Sequence, residues 1–499
     1  MWFAGNVACV GCANSGSGRL SYEELERLVA EQAALIDALQ ARVAEQAVVI
    51  EELERRVSRN SRNSSSPPSS DPPLTRAERR RWAREKLKQM SKQQRKPGGQ
   101  PGHEGKHRAM APAEQVDRRS EHLPRVCGCG HRFTGSEERV GDPVSHQQWE
   151  LPPIRPLIFQ YDLLRLRCPC CRGPRLAELP AGVSWSPFAP RLQAHIGVLA
   201  GVYRLSRRQV RAVVSEMFGI PISTGAVDAA IMRMSVILQD PWEQLQASIQ
   251  AASQVHADET GRRLRGAYQC LWVATTALAA CYRIDPRRSQ AAAKELLGEE
   301  FGGFVICDRY VGYHWLDVLQ QQLCWAHAIR QLVALSERQG APGKLGRKLL
   351  DAAREVIDTH RRYLEEDRNL DWLRAQLAPL REQIQTLLEQ GARGRDQKTA
   401  NFCAGLLEEY DALWTFCDVH DLQIPITNNA AERALRHAVI LPRVQGGTQS
   451  DQGSRWIERI LSNRETMRLQ DRSVLDYLIH AANAWHARQP APPPLAAGP

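Results

Sequence analysis

The sequence lacks the features that mark membrane proteins and exported proteins. No apolar run approaches the length of about 18 residues that a membrane-spanning helix needs. Residues 1–18 contain neither a basic leader nor a long apolar stretch, so we expect a flexible leader and not an export signal. The 13 cysteines among 499 residues are too scattered for a disulfide framework, which favours a reducing compartment. The sequence therefore predicts a cytoplasmic protein with no membrane partner.

Positive charge is concentrated in one short segment. The formal net charge is +10, and the stretch from Arg76 to Arg108 contains twelve Lys or Arg but only three Glu. Such a concentration favours a polyanionic partner, most plausibly nucleic acid, although a solvated charged helix is the alternative. Residues 75–110 are therefore predicted to be a basic DNA-binding segment. The expected contacts in it are Arg79, Arg80, Arg81, Arg84 and Lys96.

A heptad repeat precedes the basic segment. One seam position holds Tyr22, Val29, Ile36, Val43, Ile50 and Val57, and the other holds Leu25, Gln32, Leu39, Gln46 and Leu53. β-Branched residues at the first position and leucine at the second favour a parallel two-stranded coiled coil. Residues 19–58 are therefore predicted to form a homodimeric leucine zipper, and an amphipathic helix folded back on the protein is the alternative. Residues 59–74 are a Ser/Pro linker.

Five clustered cysteines predict a small zinc-binding domain over residues 111–186. The expected ligands of a structural Zn²⁺ are Cys127, Cys129, Cys168 and Cys171. Two soft-ligand pairs are typical of a closed site that contributes to folding and not to catalysis. Cys170 and His131 are alternative ligands, and buried free thiols are the alternative to a metal site.

Residues 187–250 are expected to be helical, with a possible helix-turn-helix. In LSRRQVRAVVSEMFGIPISTGAVDAAIMRM, a break at Gly219-Ile220-Pro221 separates two helical patterns, the second capped near Ser223 or Thr224. Arg207 and Arg208 would supply contacts to DNA. An ordinary helical hairpin fits the same pattern.

The pattern changes to strands near residue 252. QVHADETG, YQCLWVATTAL and AACYRID precede a helix, and GGFVICDRYVGY follows it, which predicts an α/β domain with a mixed sheet. Asp258 and Asp308 would then lie near the ends of separate strands. Two neighbouring carboxylates repel each other unless a cation lies between them, and oxygen ligands of this kind suit Mg²⁺ or Mn²⁺.

A third carboxylate, Glu432, lies in the stretch ITNNAAERALR. Asn429 and Glu432 have the spacing of a capping box, which is a purely local explanation. A helix starting at Asn429 could equally bring Glu432 against the sheet as the third ligand of a two-metal site. Both explanations stay open at this point.

These motifs together resemble the transposases of the insertion sequence sixty-six family. The resemblance runs from about residue 21 to 486 and includes KPGGQPGHEG, HADETG, CDRYVGY, CWAHA and NNAAER in that order. It implies a DDE catalytic domain on an RNase H-like fold over residues 251–486, with a helical insertion at about 330–426. The implied triad is Asp258, Asp308 and Glu432. By resemblance His327 lies near the active site and could contact DNA, and a histidine with only a structural role in its helix is the alternative. Arg433 and Arg436, on the helix that carries Glu432, are candidate phosphate contacts, and ordinary surface arginines are the alternative. The Pro/Ala composition of residues 487–499 predicts a disordered tail.

The resemblance also implies an activity, cofactors and partners. Two Mg²⁺ or Mn²⁺ ions would support cleavage at the terminal inverted repeats of the element and strand transfer into target DNA. Accessory proteins of the same element are further candidate partners, and a bacterial cytoplasmic protein would associate with the nucleoid when bound to DNA. The alternatives are a catalytically inactive DNA-binding regulator and a nuclease that only hydrolyses. Among other acidic residues, Glu259 is expected to point to the face opposite Asp258.

Overall fold

The computed structural model describes residue 27 and residues 30–43, 45–46, 109–445 and 450–496, with only the backbone at residues 264 and 441–445. The predicted Ser/Pro linker and nearly all of the basic segment, including Arg79, Arg80, Arg81, Arg84 and Lys96, lie outside these residues. The chain divides into two units. One comprises Met1–Pro73 and Arg330–Arg347, and the other comprises Leu74–Ile329 and Lys348–Pro499.

The described residues between 27 and 46 are helical, as the heptad repeat predicts. Seam residues Ile36, Leu39 and Val43 are exposed in the single chain. Among the helices of the described residues, none is long and apolar enough to cross a membrane.

Residues 109–186 contain little regular structure. Two short antiparallel strands, β1 (Arg165–Arg167) and β2 (Pro174–Leu176), flank the second cysteine pair. A single bridge between Val126 and Arg132 flanks the first pair.

Four helices follow: α1 (Pro190–Gly201), α2 (Arg207–Phe218), α3 (Thr224–Ile237) and α4 (Gln239–Gln250). The side chain of Ser206 accepts a hydrogen bond from the Gln209 N–H, which closes a capping box at the start of α2. Gly219, with a φ of +65°, ends α2, and Ser223 caps α3. The predicted break between two helices is confirmed.

The structure contains a five-stranded mixed sheet. Its strands are β3 (Gln254–Leu264), β4 (Ala267–Thr275), β5 (Ala280–Asp285), β6 (Phe304–Cys307) and β7 (Gln321–Leu323). The spatial order is β5-β4-β3-β6-β7, in which β3, β4 and β5 are antiparallel and β6 and β7 run parallel to β3. The mixed α/β class predicted from the sequence is therefore correct.

Helices make up most of the chain between and after these strands. α5 (Gln290–Leu297) connects β5 to β6, and the segment after β7 is helical as expected from its sequence. The segment contains α6 (Trp325–Ser336), α7 (Gly340–Glu365), α8 (Leu370–Ala392), α9 (Gln397–Glu408) and α10 (Thr415–Asp418). The last helices are α11 (Asn429–Gln445), α12 (Asp451–Leu469) and α13 (Val474–His486).

The two faces of the sheet pack into separate cores because side chains alternate along each strand. In β4, Leu271 and Val273 join the core formed with α1, α3, α11 and α12. Cys270 and Trp272 point the other way, into a core with α4 and α5. This alternation decides which acids can meet at the sheet.

The C-terminal segment differs from the disorder predicted from its Pro/Ala composition. The Pro494 carbonyl accepts hydrogen bonds from Gln470 (3.1 Å) and Arg472 (2.9 Å), and Tyr477 donates to the Pro492 carbonyl. Leu495 packs against the core around β4. Proline lacks an N–H but keeps its carbonyl, so a Pro-rich segment can still dock through acceptors alone.

Candidate active site

Asp258 and Asp308 lie on neighbouring parallel strands. Parallel pairing of β3 with β6 ends at His256 opposite Ile306, so both aspartates lie two residues beyond the last pair. Asp308 follows the end of β6, as expected. Asp258 instead lies inside β3, which continues to Leu264 as a hairpin with β4.

The β3–β4 hairpin explains why the sequence predicts a shorter β3 than the structure contains. Arg265 and Gly266 at its tip have φ values of +47° and +84°, the left-handed conformation that two-residue hairpin turns require. The stretch GRRLRGAY does not alternate as a half-buried strand should. The hairpin extends beyond the end of β6, and Asp258 lies where β6 stops.

Helix α11 brings Glu432 to the Asp258 face of the sheet. Ala431 and Ala434 of α11 are buried in the same core as Val273, the residue opposite Asp258 in β4. Small residues let the helix approach the sheet closely. Glu432 lies in the first turn of α11 and is part-buried.

The surroundings of Asp258 raise its pKa. Burial and then the negative charges of Glu259, Asp308 and Glu432 raise the pKa of Asp258 well above its usual range. The Glu259 N–H donates to Asp258 Oδ1 at 2.8 Å, and the Tyr310 N–H donates to Asp308 Oδ1 at 3.0 Å. Each aspartate is thus oriented by the backbone through one oxygen.

Asn428, which sequence reasoning missed, joins the elements of the site. Its side-chain Nδ2 donates to the Ala257 carbonyl at 2.7 Å, and its Oδ1 lies 3.1 Å from His256 Nδ1. Its backbone N–H donates to the Cys324 thiol at 3.1 Å. Asn428 is completely buried, so these bonds fix the start of α11 against β3.

The capping position of α11 differs from the one expected. The helix begins at Asn429 and the Asn428 carbonyl accepts from the Glu432 N–H at 3.2 Å, so the cap is Asn428 and not Asn429. A capping box needs its acidic partner three residues after the cap. Glu432 is four residues after Asn428, which weakens the local explanation for this glutamate.

The CWAHA motif connects the acids. The Cys324 N–H donates to the Cys307 carbonyl at 2.9 Å, next to Asp308. His327, one helical turn further, places its Nε2 3.7 Å from Glu432 Oε1. The motif therefore links the Asp308 strand to the Glu432 helix.

Glu259 points away from the α11 side, as the alternation of β3 predicts. Its carboxylate is 1% exposed and pairs with the guanidinium of Arg288, while the Tyr313 hydroxyl donates to it at 2.9 Å. The Arg288 guanidinium also stacks on the Tyr310 ring at 3.7 Å. Burial and then Asp308 raise the pKa of Glu259, and Arg288 opposes that effect.

The donor set of the three acids suits a hard divalent cation. Carboxylate oxygens are the ligands that Mg²⁺ and Mn²⁺ prefer, and a cation would offset the repulsion that raises the pKa of Asp258. In the described parts of the chain, no group of three or more His, Cys, Asp or Glu side chains is arranged to hold a metal ion. The acids therefore fit a cation by chemistry and charge, without forming a closed coordination shell.

The two cysteine pairs lie in tight turns. The Cys127 N–H donates to the His131 carbonyl at 2.8 Å, and the Cys168 N–H donates to the Gly173 carbonyl at 3.0 Å. Cys127, Cys129, Cys170 and Cys171 are exposed and Cys168 is part-buried, unlike the buried thiols of the alternative explanation. Hydrogen bonds from Cys129 lower the pKa of Cys127, and hydrogen bonds from Cys171 and Cys170 lower that of Cys168. The His131 ring instead faces Glu137, at 3.3 Å.

The predicted DNA contacts of the described residues have different surroundings. Arg433 and Arg436 are exposed on α11, and Arg433 is close enough to His256 to lower its pKa, after the larger effect of burial. Arg208 is exposed on α2, whereas Arg207 is paired with Asp228 at 3.0 Å.

Comparisons with known proteins connect this geometry to a family. Residues 186–455, which include Asp258, Asp308 and Glu432, match the model of the Transposase IS66 family. Residues 20–109 match a family of unknown function (DUF6444). The uncharacterized protein y4hP of Sinorhizobium fredii (strain NBRC 101917 / NGR234) is 23% identical over 389 residues, which cover 70% of this chain and 68% of that relative.

Proposed function

The chain belongs to the IS66 transposase family, and we propose that it is a DDE transposase with Asp258, Asp308 and Glu432 as its catalytic triad. It would bind the ends of an insertion sequence, cleave a DNA strand there and join the freed end to target DNA. The observation that carries this proposal is geometric: Asp258 and Asp308 each follow the last parallel pair of β3 and β6 by two residues, and α11, with Glu432 in its first turn, packs against the Asp258 face of the sheet. The raised pKa of Asp258 agrees with this arrangement. Asp308 and Glu432 follow Asp258 by 50 and 174 positions in the sequence, so the fold brings together like charges that repel each other unless a cation lies between them.

The sheet supports an RNase H-like core. Three antiparallel strands followed by two parallel ones, in the order β5-β4-β3-β6-β7, place the first strand at the centre. The first acid then lies on the central strand and the second on its parallel neighbour. The third comes from a helix that follows a long helical insertion, here about residues 330–426.

The proposed mechanism assigns a role to each group of the site. Asp258, Asp308 and Glu432 would hold divalent ions, which when bound would activate water for attack on a phosphodiester and stabilise the leaving 3′-oxygen. Hydrogen bonds of Asn428 and Cys324 hold the Glu432 helix and the Asp308 strand in a fixed position relative to each other. Arg433 and Arg436, exposed on the same helix as Glu432, would contact DNA phosphates.

The other predicted parts serve DNA binding in this proposal. The coiled coil (19–58) would pair two copies, and residues 75–110 would contact the DNA backbone. Zn²⁺ held by Cys127, Cys129, Cys168 and Cys171 would stabilise residues 111–186, once the two turns are drawn together. The helices of residues 187–250 would present Arg208 to DNA.

Substitution of Glu432 tests the proposal. We expect Glu432→Gln to bind DNA carrying the element's ends as the wild type does, but to cleave it more than roughly 100-fold more slowly. Loss of an outer-shell partner of a metal ligand already lowers activity about 10–100-fold, so loss of a ligand should exceed that. The measurement is cleavage and joining of labelled DNA with Mg²⁺ or Mn²⁺, with binding followed in parallel.

Glu300→Gln is the matched control, since Glu300 is an exposed glutamate away from the three acids. Equal cleavage by the wild type and both variants would remove Glu432 from the triad. If the wild type binds the ends but neither cleaves nor joins them, even with accessory proteins of the element, the DNA-binding regulator replaces the transposase.

A further inference from the structure

The loop that carries Asp308 is held from two sides. Towards the sheet, the Tyr310 hydroxyl donates to the Arg288 carbonyl at 2.6 Å and Tyr313 donates to Glu259. Towards the helical insertion, Arg309 and His314 contact a single carboxylate, that of Glu409. The aromatic and the charged residues of this loop thus face different partners.

Glu409 uses both of its oxygens in these contacts. Arg309 Nε donates to Glu409 Oε2, and His314 Nε2 lies 2.7 Å from Glu409 Oε1. Glu409 follows directly after α9, a helix of the insertion, about a hundred residues from the loop in sequence. The insertion therefore contributes a side chain to the surroundings of Asp308.

Burial makes this contact different from a surface ion pair. The side chains of Glu409 and Arg309 are 16% and 21% exposed. A pair so shielded from water is weakly screened by salt, and removal of one partner leaves a poorly solvated charge behind. Without Glu409, the loop that carries Asp308 would lose its contacts with the insertion through both Arg309 and His314.

We propose that Glu409 is a positioning residue of the active site: it anchors the loop that carries Asp308 through Arg309 and His314. The helical insertion then helps to position a metal ligand. This inference rests on the proposed function, because it assumes that Asp308 binds a metal ion.

Glu409→Gln in the full-length protein is the central variant. We expect cleavage of DNA carrying the element's ends to fall roughly 10–100-fold, since small displacements of a catalytic group have effects of this size. DNA affinity should stay close to that of the wild type. The thermal midpoint should fall, because the Arg309 charge loses its partner, so cleavage is compared at a temperature at which both proteins are fully folded. Mn²⁺ binding without DNA, measured by titration calorimetry, should weaken, and Glu409→Asp should recover part of both losses.

Glu408→Gln is the matched control because Glu408 is the neighbouring glutamate and is exposed. It should behave as the wild type in every measurement. His314→Ala is a second variant that removes only the partner of Oε1, and it keeps the test informative if Glu409→Gln does not fold.

Two results would overturn the inference. One is Mn²⁺ binding and cleavage in Glu409→Gln that match those of Glu408→Gln. The other is a loss of activity that follows the loss of thermal stability in all Glu409 and His314 variants, which would make the contact structural. If the proposed function itself is wrong, the result differs: the wild-type protein will not cleave DNA at all, whether or not it binds Mn²⁺.

Discussion

Two consecutive asparagines at the start of α11 show that residue type alone does not determine the role of a side chain. In the sequence, Asn429 before a helical pattern looks like a capping residue, and the sequence assigns no role to Asn428. In the structure the Asn428 amide instead bonds to Ala257 and His256 of β3, 171 and 172 residues away. A buried amide must satisfy both its donor and its acceptor, and the strand supplies partners that local sequence cannot reveal.

His437, on α11, gives a prediction at the residue scale. Burial and then the neighbouring charge of Arg464 lower its pKa from 6.5 to about 4, and its Nε2 lies 3.4 Å from the Gly201 carbonyl. The unfolded chain therefore takes up this proton at a higher pH than the folded protein does. The contribution of neutral His437 to stability is complete above about pH 6.5 and is lost as the pH falls towards about 4.

The thermal midpoint of the wild type should accordingly fall more steeply between about pH 7 and pH 5 than that of His437→Gln. Glutamine does not titrate and keeps a donor for the Gly201 carbonyl. His480→Gln, at an exposed position on α13, should retain the wild-type slope. Parallel curves for wild type and His437→Gln would show that His437 titrates normally.

At the scale of elements, helix α12 replaces a missing strand at the edge of the sheet. The outward N–H groups of β5 belong to Ala280, Tyr282 and Ile284, and they donate to Thr466 Oγ1, Ser462 Oγ and Glu458 Oε1 at 3.0, 2.8 and 2.7 Å. Two residues of a strand advance about 6.7 Å and four residues of a helix about 6.0 Å, so the two series stay in register. The edge is thereby protected from pairing with other strands.

Ser462→Ala tests this arrangement. The substitution leaves the buried Tyr282 N–H without its acceptor, which should lower the free energy of unfolding by roughly 1–3 kcal/mol. Chemical unfolding followed by circular dichroism measures the change.

Ser454→Ala on the same helix is the control. The Ser454 hydroxyl is buried, and among the residues that the structure describes it has no hydrogen-bond partner. Its removal should change stability by less than about 0.5 kcal/mol, or increase it. Equal losses of stability in Ser462→Ala and Ser454→Ala would mean that the hydrogen bond from the Tyr282 N–H to Ser462 does not stabilise the protein.

Strand β7 shows why one element escaped prediction. Its residues are Gln321, Gln322 and Leu323, a composition that favours neither a buried strand nor a helix. Both glutamines are nevertheless buried. The Gln322 side chain has partners in this position, because it donates to the Leu413 carbonyl and accepts from the Phe416 N–H. The insertion supplies these partners, so only the assembled fold makes the polar strand stable.

At the scale of the whole molecule, the N-terminal helix is predicted to pair two copies. Ile36 and Leu39 are seam positions of the heptad and are exposed in the single chain. We expect the wild type to be a dimer at micromolar concentration, and a variant with Ile36→Asp and Leu39→Asp to be a monomer, because buried unpaired charges disrupt the seam. Light scattering coupled to gel filtration gives the mass.

Two aspartates on the outer face of the same helix provide the control. Ala34→Asp with Ala41→Asp adds equal charge at positions that do not face a partner helix, so the dimer should persist. A monomeric wild type, or dissociation in both variants, would instead support a helix without a homodimeric role.

The sequence by itself determined the local elements and the chemistry of the protein. Periodicity predicted β4, β6 and the helical insertion, the caps of α2 and α3 follow from Ser206 and Ser223, and the motif order identified the family. These features depend on neighbouring residues, whose preferences are encoded within a few positions. The tertiary structure decided which face of β3 meets α11, which carboxylate holds Arg309 and which helix covers β5. Those outcomes join residues about 100 to 190 positions apart, and they follow from packing and from the need of buried polar groups for partners.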